Sequence, residues 1–242
     1  MDYQRALMVA GLVIAVYIFW VMVRTAVFVG RSRPAVEENQ PFQHSPEDPS
    51  SSLLVVGDST AAGVGSELGG VPYYFSKEFE GLEVVTRAES GRKLEDIDSS
   101  MFDGDFDAVL VMVGGNDILR LSSTEKVREE LARVLDGAKE ASEEVIVLHS
   151  GNVGQSPFFV FPFDSFYSWR TRRVRKVYID VCREMNATYI DLYTSRGEDP
   201  FAEEPERYYA PDRLHLSDRG YSVWFNEILE QSDVGDVLRA KD

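Results

Sequence analysis

After Ser52 the sequence alternates short β-rich runs with longer helical patterns, and that alternation admits few folds. The runs are Leu53–Val56, Leu82–Thr86, Ala108–Val113, Val145–Leu148 and Thr188–Leu192. Between the third and fourth, Val127, Leu131, Val134, Ala138 and Ala141 recur at helical spacing, with Ser122 and Glu125 placed as a capping box. Val174, Val177, Val181 and Met185 mark another helix, and Tyr221, Trp224, Phe225, Ile228 and Leu229 a last one entered from Ser217. Near-continuous apolar strands separated by helices predict a mostly parallel sheet covered on both faces. In such a sheet, ligands sit beyond the carboxyl ends of the strands. Two polar clusters far apart in sequence therefore converge: Gly57-Asp58-Ser59 after the first strand and Gly114-Gly115-Asn116-Asp117 after the third.

The first cluster lies in VVGDSTAAGVG, Val55 to Gly65. It is not a phosphate-binding loop, because Gly63 is followed by Val64 and Gly65 where GK[ST] is needed. It is not a dinucleotide fingerprint either, since the last glycine of GxGxxG is missing after Gly63-Val64-Gly65. A plain strand-to-helix turn uses the same residue types. What separates a turn from a nucleophile is company: a base, a group that orients the base, and donors for an oxyanion. The chain has three histidines. His44 lies in a polar connecting segment, and His149 ends the fourth strand with no acid close in sequence, as a hydrogen-bonded sheet-edge histidine would. His215 follows Asp212 by three positions in YAPDRLHLSDRGY, after the fifth strand and on the same rim. One turn of chain brings that carboxylate to the imidazole. No serine sits in a GxSxG elbow.

Taken together, Gly57-Asp58-Ser59-Thr60, Gly91, Gly114-Gly115-Asn116-Asp117 and Asp212-Arg213-Leu214-His215 resemble the four blocks of the SGNH/GDSL hydrolases, in order. The resemblance runs from about Leu53 to Gln231. It implies a three-layer α/β/α sandwich with a five-stranded, flavodoxin-like sheet, and serine ester hydrolysis without metal or cofactor. Carried over position by position, it makes Ser59 the nucleophile, His215 the base and then the acid, and Asp212 the group that orients His215. It assigns the oxyanion to the backbone N–H groups of Ser59 and Gly91 and the side-chain amide of Asn116. Asp58 and Asp117 are left to shape turns through local hydrogen bonds. Three positions depart from the family pattern: GDST replaces GDSL, Glu89 stands where asparagine often precedes the glycine, and Leu216 follows the histidine where proline is frequent. Glu89 would bring negative charge to the oxyanion site if it pointed inward.

The N-terminus differs in kind. Ala6 to Val23 carries no charge and as a helix is roughly 27 Å long, close to the ~30 Å hydrocarbon core. Its apolar run is longer than a signal-peptide core, and no A-x-A-like site follows. The expected organisation is an anchor at 1–30, a flexible Pro-, Ser- and acid-rich tether at 31–52, and a hydrolase domain at 53–242. Arg24, Arg31 and Arg33 after the span lean the domain toward the cytoplasmic side. The formal net charge of -16 excludes nucleic acid as a partner. The single cysteine, Cys182, excludes an intrachain disulfide and a Cys-based zinc or iron–sulfur site. The sequence leaves oligomeric state open.

After the fourth strand, Gly151 to Gly154 starts on the same rim. Phe158, Phe159, Phe161, Phe163, Phe166, Tyr167 and Trp169 then crowd a short length, as core packing, as a wall or lid for an acyl chain, or as a surface touching a bilayer. Arg170, Arg172, Arg173, Arg175 and Lys176 follow, as a solvated helix face or an attraction for anionic headgroups. The sequence thus predicts an ester hydrolase acting on a lipid, acylated carbohydrate or small ester. Two alternatives stand beside it. One is a metal-dependent phosphoesterase using Asp58, Asn116, Asp117, Asp212 and His215. The other is a membrane-tethered binding module without turnover.

Overall fold

A computed structural model describes residues 3–195, 197 and 199–239. In chain order the elements are α1 (Tyr3–Glu37), β1 (Ser51–Gly57), α2 (Val71–Glu78), β2 (Leu82–Ala88), β3 (Ala108–Met112), α3 (Gly115–Leu119), α4 (Thr124–Ala141), β4 (Val145–Leu148), α5 (Phe163–Glu184) and β5 (Thr188–Tyr189). Two one-turn helices follow, α6 (Pro200–Glu203) and α7 (Pro205–Tyr208), then α8 (Asp218–Gln231) and α9 (Val234–Arg239).

The five strands form one parallel sheet in the order β2-β1-β3-β4-β5. Successive side chains of each strand serve opposite cores. Leu54, Val56, Val109, Val111, Val145 and Val147 pack toward α4 and α5. Leu53, Val55, Leu110, Met112, Ile146 and Leu148 pack toward α2, α8 and α9. Both faces of β1, β3 and β4 are buried, which is why these strands read as apolar runs, whereas the edge strand β2 alternates along LEVVTRA. The chain leaves β1 in one direction to reach β2 and lies in the other direction from β3 onward. The crevice at the β1 and β3 carboxyl ends is therefore the topological switch point.

The strand runs hold at their positions; β1 and β2 extend beyond the expected ends, β4 keeps them, and β3 and β5 fall short. β5 stops at Tyr189 rather than Leu192. Ile190 N–H still donates to Val147 O at 2.9 Å, but the Asp191 N–H is taken by the Gln231 side chain at 2.9 Å, and the chain leaves the sheet. The cap of α4 is Ser123, whose hydroxyl accepts from Lys126 N–H at 3.1 Å. Ser122, the expected cap, donates instead to Asp117 Oδ1 at 2.7 Å. Ser217 caps α8 as read from the sequence.

The N-terminal organisation is less divided than the composition implies. α1 continues past residue 30 to Glu37, with Pro34 inside it. Residues 39–50 lie on the domain. His44 forms an antiparallel bridge with Val84 on the outer edge of β2, at 3.0 and 2.8 Å. The Gln43 side-chain amide donates to Thr86 O at 2.7 Å and accepts from Thr86 N–H at 3.0 Å. An edge strand exposes backbone donors and acceptors that need partners. A polar, aperiodic segment supplies them here, and hydrophobic patterning does not register that role.

Candidate active site

Gly57 ends β1 against the backbone of β3; a Cβ there would lie 1.9 Å from Met112 O, so only glycine permits this approach. The chain then turns tightly, with Ala62 N–H on Asp58 O at 3.0 Å and Val64 N–H on Ser59 O at 2.9 Å. This turn lifts Ser59, half-buried, over the end of the sheet. Asp58 is buried at the edge of the same cleft, where its Oδ1 accepts from the Thr60 N–H at 2.9 Å and hydroxyl at 2.8 Å. Burial pushes its carboxyl up to about 6, against the lowering effect of those hydrogen bonds.

His215 arrives from the loop before α8. Its Nε2 lies 3.1 Å from Ser59 Oγ and its Nδ1 2.6 Å from Asp212 Oδ2. Arg213, between them, has φ of 64°, a left-handed turn residue. That turn lets Asp212 Oδ1 accept the N–H groups of Leu214 and His215, both at 3.0 Å. Burial alone would raise the Asp212 carboxyl; the hydrogen bond and charge of His215, with those two N–H groups, outweigh it and hold the group at about 2. An ionised Asp212 takes the Nδ1 proton as its hydrogen bond, leaving Nε2 as the acceptor facing Ser59.

Asn116 sits at the start of α3, after β3. Its Nδ2 donates one proton to Arg92 O at 3.0 Å, which fixes the amide plane and ties the Gly91 turn to the β3 rim. Gly91 has φ of 87°, so a side-chain-bearing residue there would be strained. Glu89 is exposed and pairs with Arg92 at 2.9 Å, its carboxylate turned to solvent. The departure at this position therefore adds no inward charge. Asp117 is buried beneath, with Oδ2 accepting from Leu94 N–H at 3.0 Å and Oδ1 from Ser122. Burial raises its carboxyl too.

Ser59, Asn116 and His215 line one cleft, with Leu119, Val153, Leu192, Phe201, Leu214 and Trp224 as its apolar walls. Gly91 is not one of the residues that line this cleft. Asp117 spends both oxygens on a backbone and a hydroxyl donor, and Asp58 spends Oδ1 on Thr60. Among the described residues, no group of three or more His, Cys, Asp or Glu side chains is arranged to hold a metal ion. His149 is buried away from this cluster, bonded to Ser150 O and at 3.1 Å to the Tyr189 hydroxyl, and burial pushes its pKa down to about 4. Phe201 and Tyr209, from the connection after β5, are lining residues that the sequence reading missed; their only signal was their place after a strand end on the same rim.

The aromatic segment divides. Phe159 and Tyr167 pack on the α4/α5 core, whereas Phe161, Phe163, Phe166 and Trp169 are exposed. None of them lines the cleft. The basic run divides as well. Arg170 is buried, with Nε on Ile118 O at 3.0 Å, and Arg175 Nε pairs with Asp191 at 2.8 Å. Arg172, Arg173 and Lys176 remain on the surface.

A serine, a histidine and a carboxylate in one hydrogen-bonded line, beside a neutral amide at a sheet switch point, define a serine-hydrolase type of site. The sequence matches the profile of the GDSL-like lipase/acylhydrolase family over residues 55–223, and the chain belongs to that family. It is a serine ester hydrolase. The fold is shared with an acetylxylan esterase, Axe2, from Geobacillus stearothermophilus, at 18% identity and a TM-score of 0.54, covering 76% of this chain and 94% of that one. A member of the lipolytic G-D-S-L family from Veillonella parvula gives 20% identity and a TM-score of 0.59, covering 74% and 96%. A lipase/acylhydrolase from Enterococcus faecalis gives 20% and 0.55, covering 77% and 96%. No curated protein matches the sequence.

Proposed function

We propose that Ser59 is the nucleophile of this hydrolase, His215 its base and acid, and Asp212 the residue that orients His215. The reading is carried by the continuous line from Ser59 Oγ through His215 to Asp212 Oδ2, at 3.1 and 2.6 Å. Ser59 Oγ attacks the ester carbonyl carbon as its proton passes to His215 Nε2. The charge that develops on the carbonyl oxygen is met by the N–H groups of Ser59 and Gly91 and by the Asn116 amide proton not used on Arg92. Collapse expels the alkoxide, which takes the proton from His215 and leaves an acyl-Ser59. Water then gives a proton to His215 and attacks the acyl carbon, and Ser59 regains its hydrogen as the acid leaves. The imidazolium formed twice in this cycle is stabilised by an Asp212 that stays ionised.

The substrate is an acyl ester of a lipid, an acylated carbohydrate or a small alcohol, its acyl part against the apolar walls of the cleft. The chain functions as a membrane-anchored enzyme. α1 is the one helix among the described residues long and apolar enough to cross a bilayer, and none of its residues is buried in the protein. In this reading 1–30 is the anchor, 31–52 the connection laid along β2, and 53–242 the hydrolase domain, with Arg24, Arg31 and Arg33 favouring the cytoplasmic side. The test is hydrolysis of short-chain aryl esters by the full chain, with and without chelator. Turnover that survives chelator and disappears in Ser59→Ala supports the reading; turnover retained by Ser59→Ala overturns it.

A further inference from the structure

The exposed aromatic residues of the 158–169 segment lie beside the apolar helix. The Tyr17 hydroxyl donates to Phe161 O, and Arg24 donates to Phe158 O and Pro157 O. The Phe28 and Phe158 rings are 6.2 Å apart. Next to this contact, Phe161 is 70% exposed, and Phe163, Phe166 and Trp169 continue the exposed surface along α5. One turn further on, the same face becomes basic, with Arg172, Arg173 and Lys176 exposed and the Arg173 guanidinium 5.2 Å over the Trp169 ring.

Three observations decide what covers this ridge. The first is depth. Tyr17 lies six residues before Val23, the end of the apolar run, or about 9 Å along a helix. A loop tip held at Tyr17 therefore reaches as far below the interface as interfacial elements do, roughly 5–10 Å. The second is hydrogen bonding. Lipid offers no partner for backbone groups, and here the carbonyls of Pro157, Phe158 and Phe161 are taken by α1 side chains. Val160 O accepts from Phe163 N–H at 2.8 Å and Asp164 N–H at 3.2 Å, and Pro162 has no N–H to satisfy. The third is charge order. The face runs from aromatic to basic, the sequence a bilayer presents from acyl chain to phosphate. The chain's overall negative charge opposes approach at a distance, but salt screens it beyond about 8 Å, and α1 already holds the domain at the surface.

We propose that this ridge is a second membrane contact, with Phe161, Phe163, Phe166 and Trp169 entering the acyl region of an anionic bilayer and Arg172, Arg173 and Lys176 meeting its phosphates. It rests on α1 being the anchor. The docked ridge also fixes the site relative to the lipid, since Phe158 N–H donates at 3.0 Å, together with the Ser156 hydroxyl, to Arg213 O in the Asp212–His215 turn.

The test uses the full chain in vesicles of phosphatidylcholine and phosphatidylglycerol. Cys182 is buried and its thiol is pushed up to about 12, so Phe161→Cys introduces the one reactive thiol for a fluorescent label. Phe166→Cys provides a second site should the first perturb the loop. Emission should fall when the lipids carry bromine on their acyl chains, more with bromine near the headgroup than near the chain end. Reversing charge with Arg173→Glu and Lys176→Glu should weaken that quenching. Labels at both positions unquenched by either lipid, in vesicles from which alkaline carbonate does not extract the chain, overturn the proposal while leaving the anchor intact. Extraction by carbonate overturns the anchor reading separately, and quenching unaffected by charge reversal overturns the headgroup contact.

Discussion

Asp212 holds His215 at two points: Oδ2 lies 2.6 Å from the ring Nδ1, and Oδ1 lies 3.0 Å from the backbone nitrogen of the same residue. The carboxylate therefore sets both the ring's tautomer and the turn that carries it. Asp212→Asn keeps an oxygen for the backbone but offers an amide to the ring, which favours the wrong tautomer. We expect kcat on esters to fall by about 10⁴-fold, with the fold retained by circular dichroism. The stability linkage also changes. Held at about 2, the carboxyl contributes stability that is fully present above its ordinary 3.8 and lost as pH falls through 2. Denaturation midpoints of the asparagine variant should lack that acid limb.

In the proposed mechanism the Asn116 amide keeps one proton on Arg92 O at 3.0 Å and offers the other to the reacting oxygen. Asn116→Ala should lower kcat by about 10²–10³-fold, with KM changed far less, because the lost interaction forms chiefly in the transition state. A change confined to KM would remove Asn116 from the oxyanion site.

Asp58 titrates in the opposite sense to Asp212. Its carboxyl is raised from 3.8 to about 6, chiefly by burial, so the protonated form is favoured in the fold. Its contribution is full below pH 3.8 and is lost as pH rises through 6, a swing on the order of 3 kcal/mol. Asp58→Asn keeps an oxygen for Thr60 and cannot ionise. Relative to the native chain, it should gain stability between pH 4 and pH 7 in urea unfolding. A constant difference across that window would place the Asp58 charge in a less costly environment than its burial indicates.

Glu89 occupies a position where a charge facing the oxyanion would slow the reaction. Its side chain is 70% exposed and paired with Arg92. Glu89→Gln should leave kcat unchanged and shift stability by less than about 1 kcal/mol. A rise in kcat would mean that the carboxylate is felt at the site.

The centre of the sheet was legible because both faces of β1, β3 and β4 are buried, so each reads as an apolar run that no loop imitates. The site was legible because parallel topology places Ser59, Asn116 and His215 on one rim whatever the helices between them do. Other features depend on partners that local patterning does not encode. Ser122 and Ser123 are equivalent as caps until Asp117 takes one of them. Gln43 and His44 read as connection because their role is to pair with the edge of β2. Phe201 and Tyr209 come from a stretch with no periodicity, and only its placement after β5 brings them to the cleft.

The most direct test of Ser59 as nucleophile is covalent trapping. A fluorophosphonate should form a P–O bond to Ser59 Oγ, with fluoride leaving and the hydroxyl proton passing to His215. Mass spectrometry of the digested full chain should find the phosphonyl group on the peptide carrying Ser59. Labelling should be absent in Ser59→Ala and much slower in His215→Ala. A label on another residue of the native chain, or equal labelling of Ser59→Ala, would contradict the account.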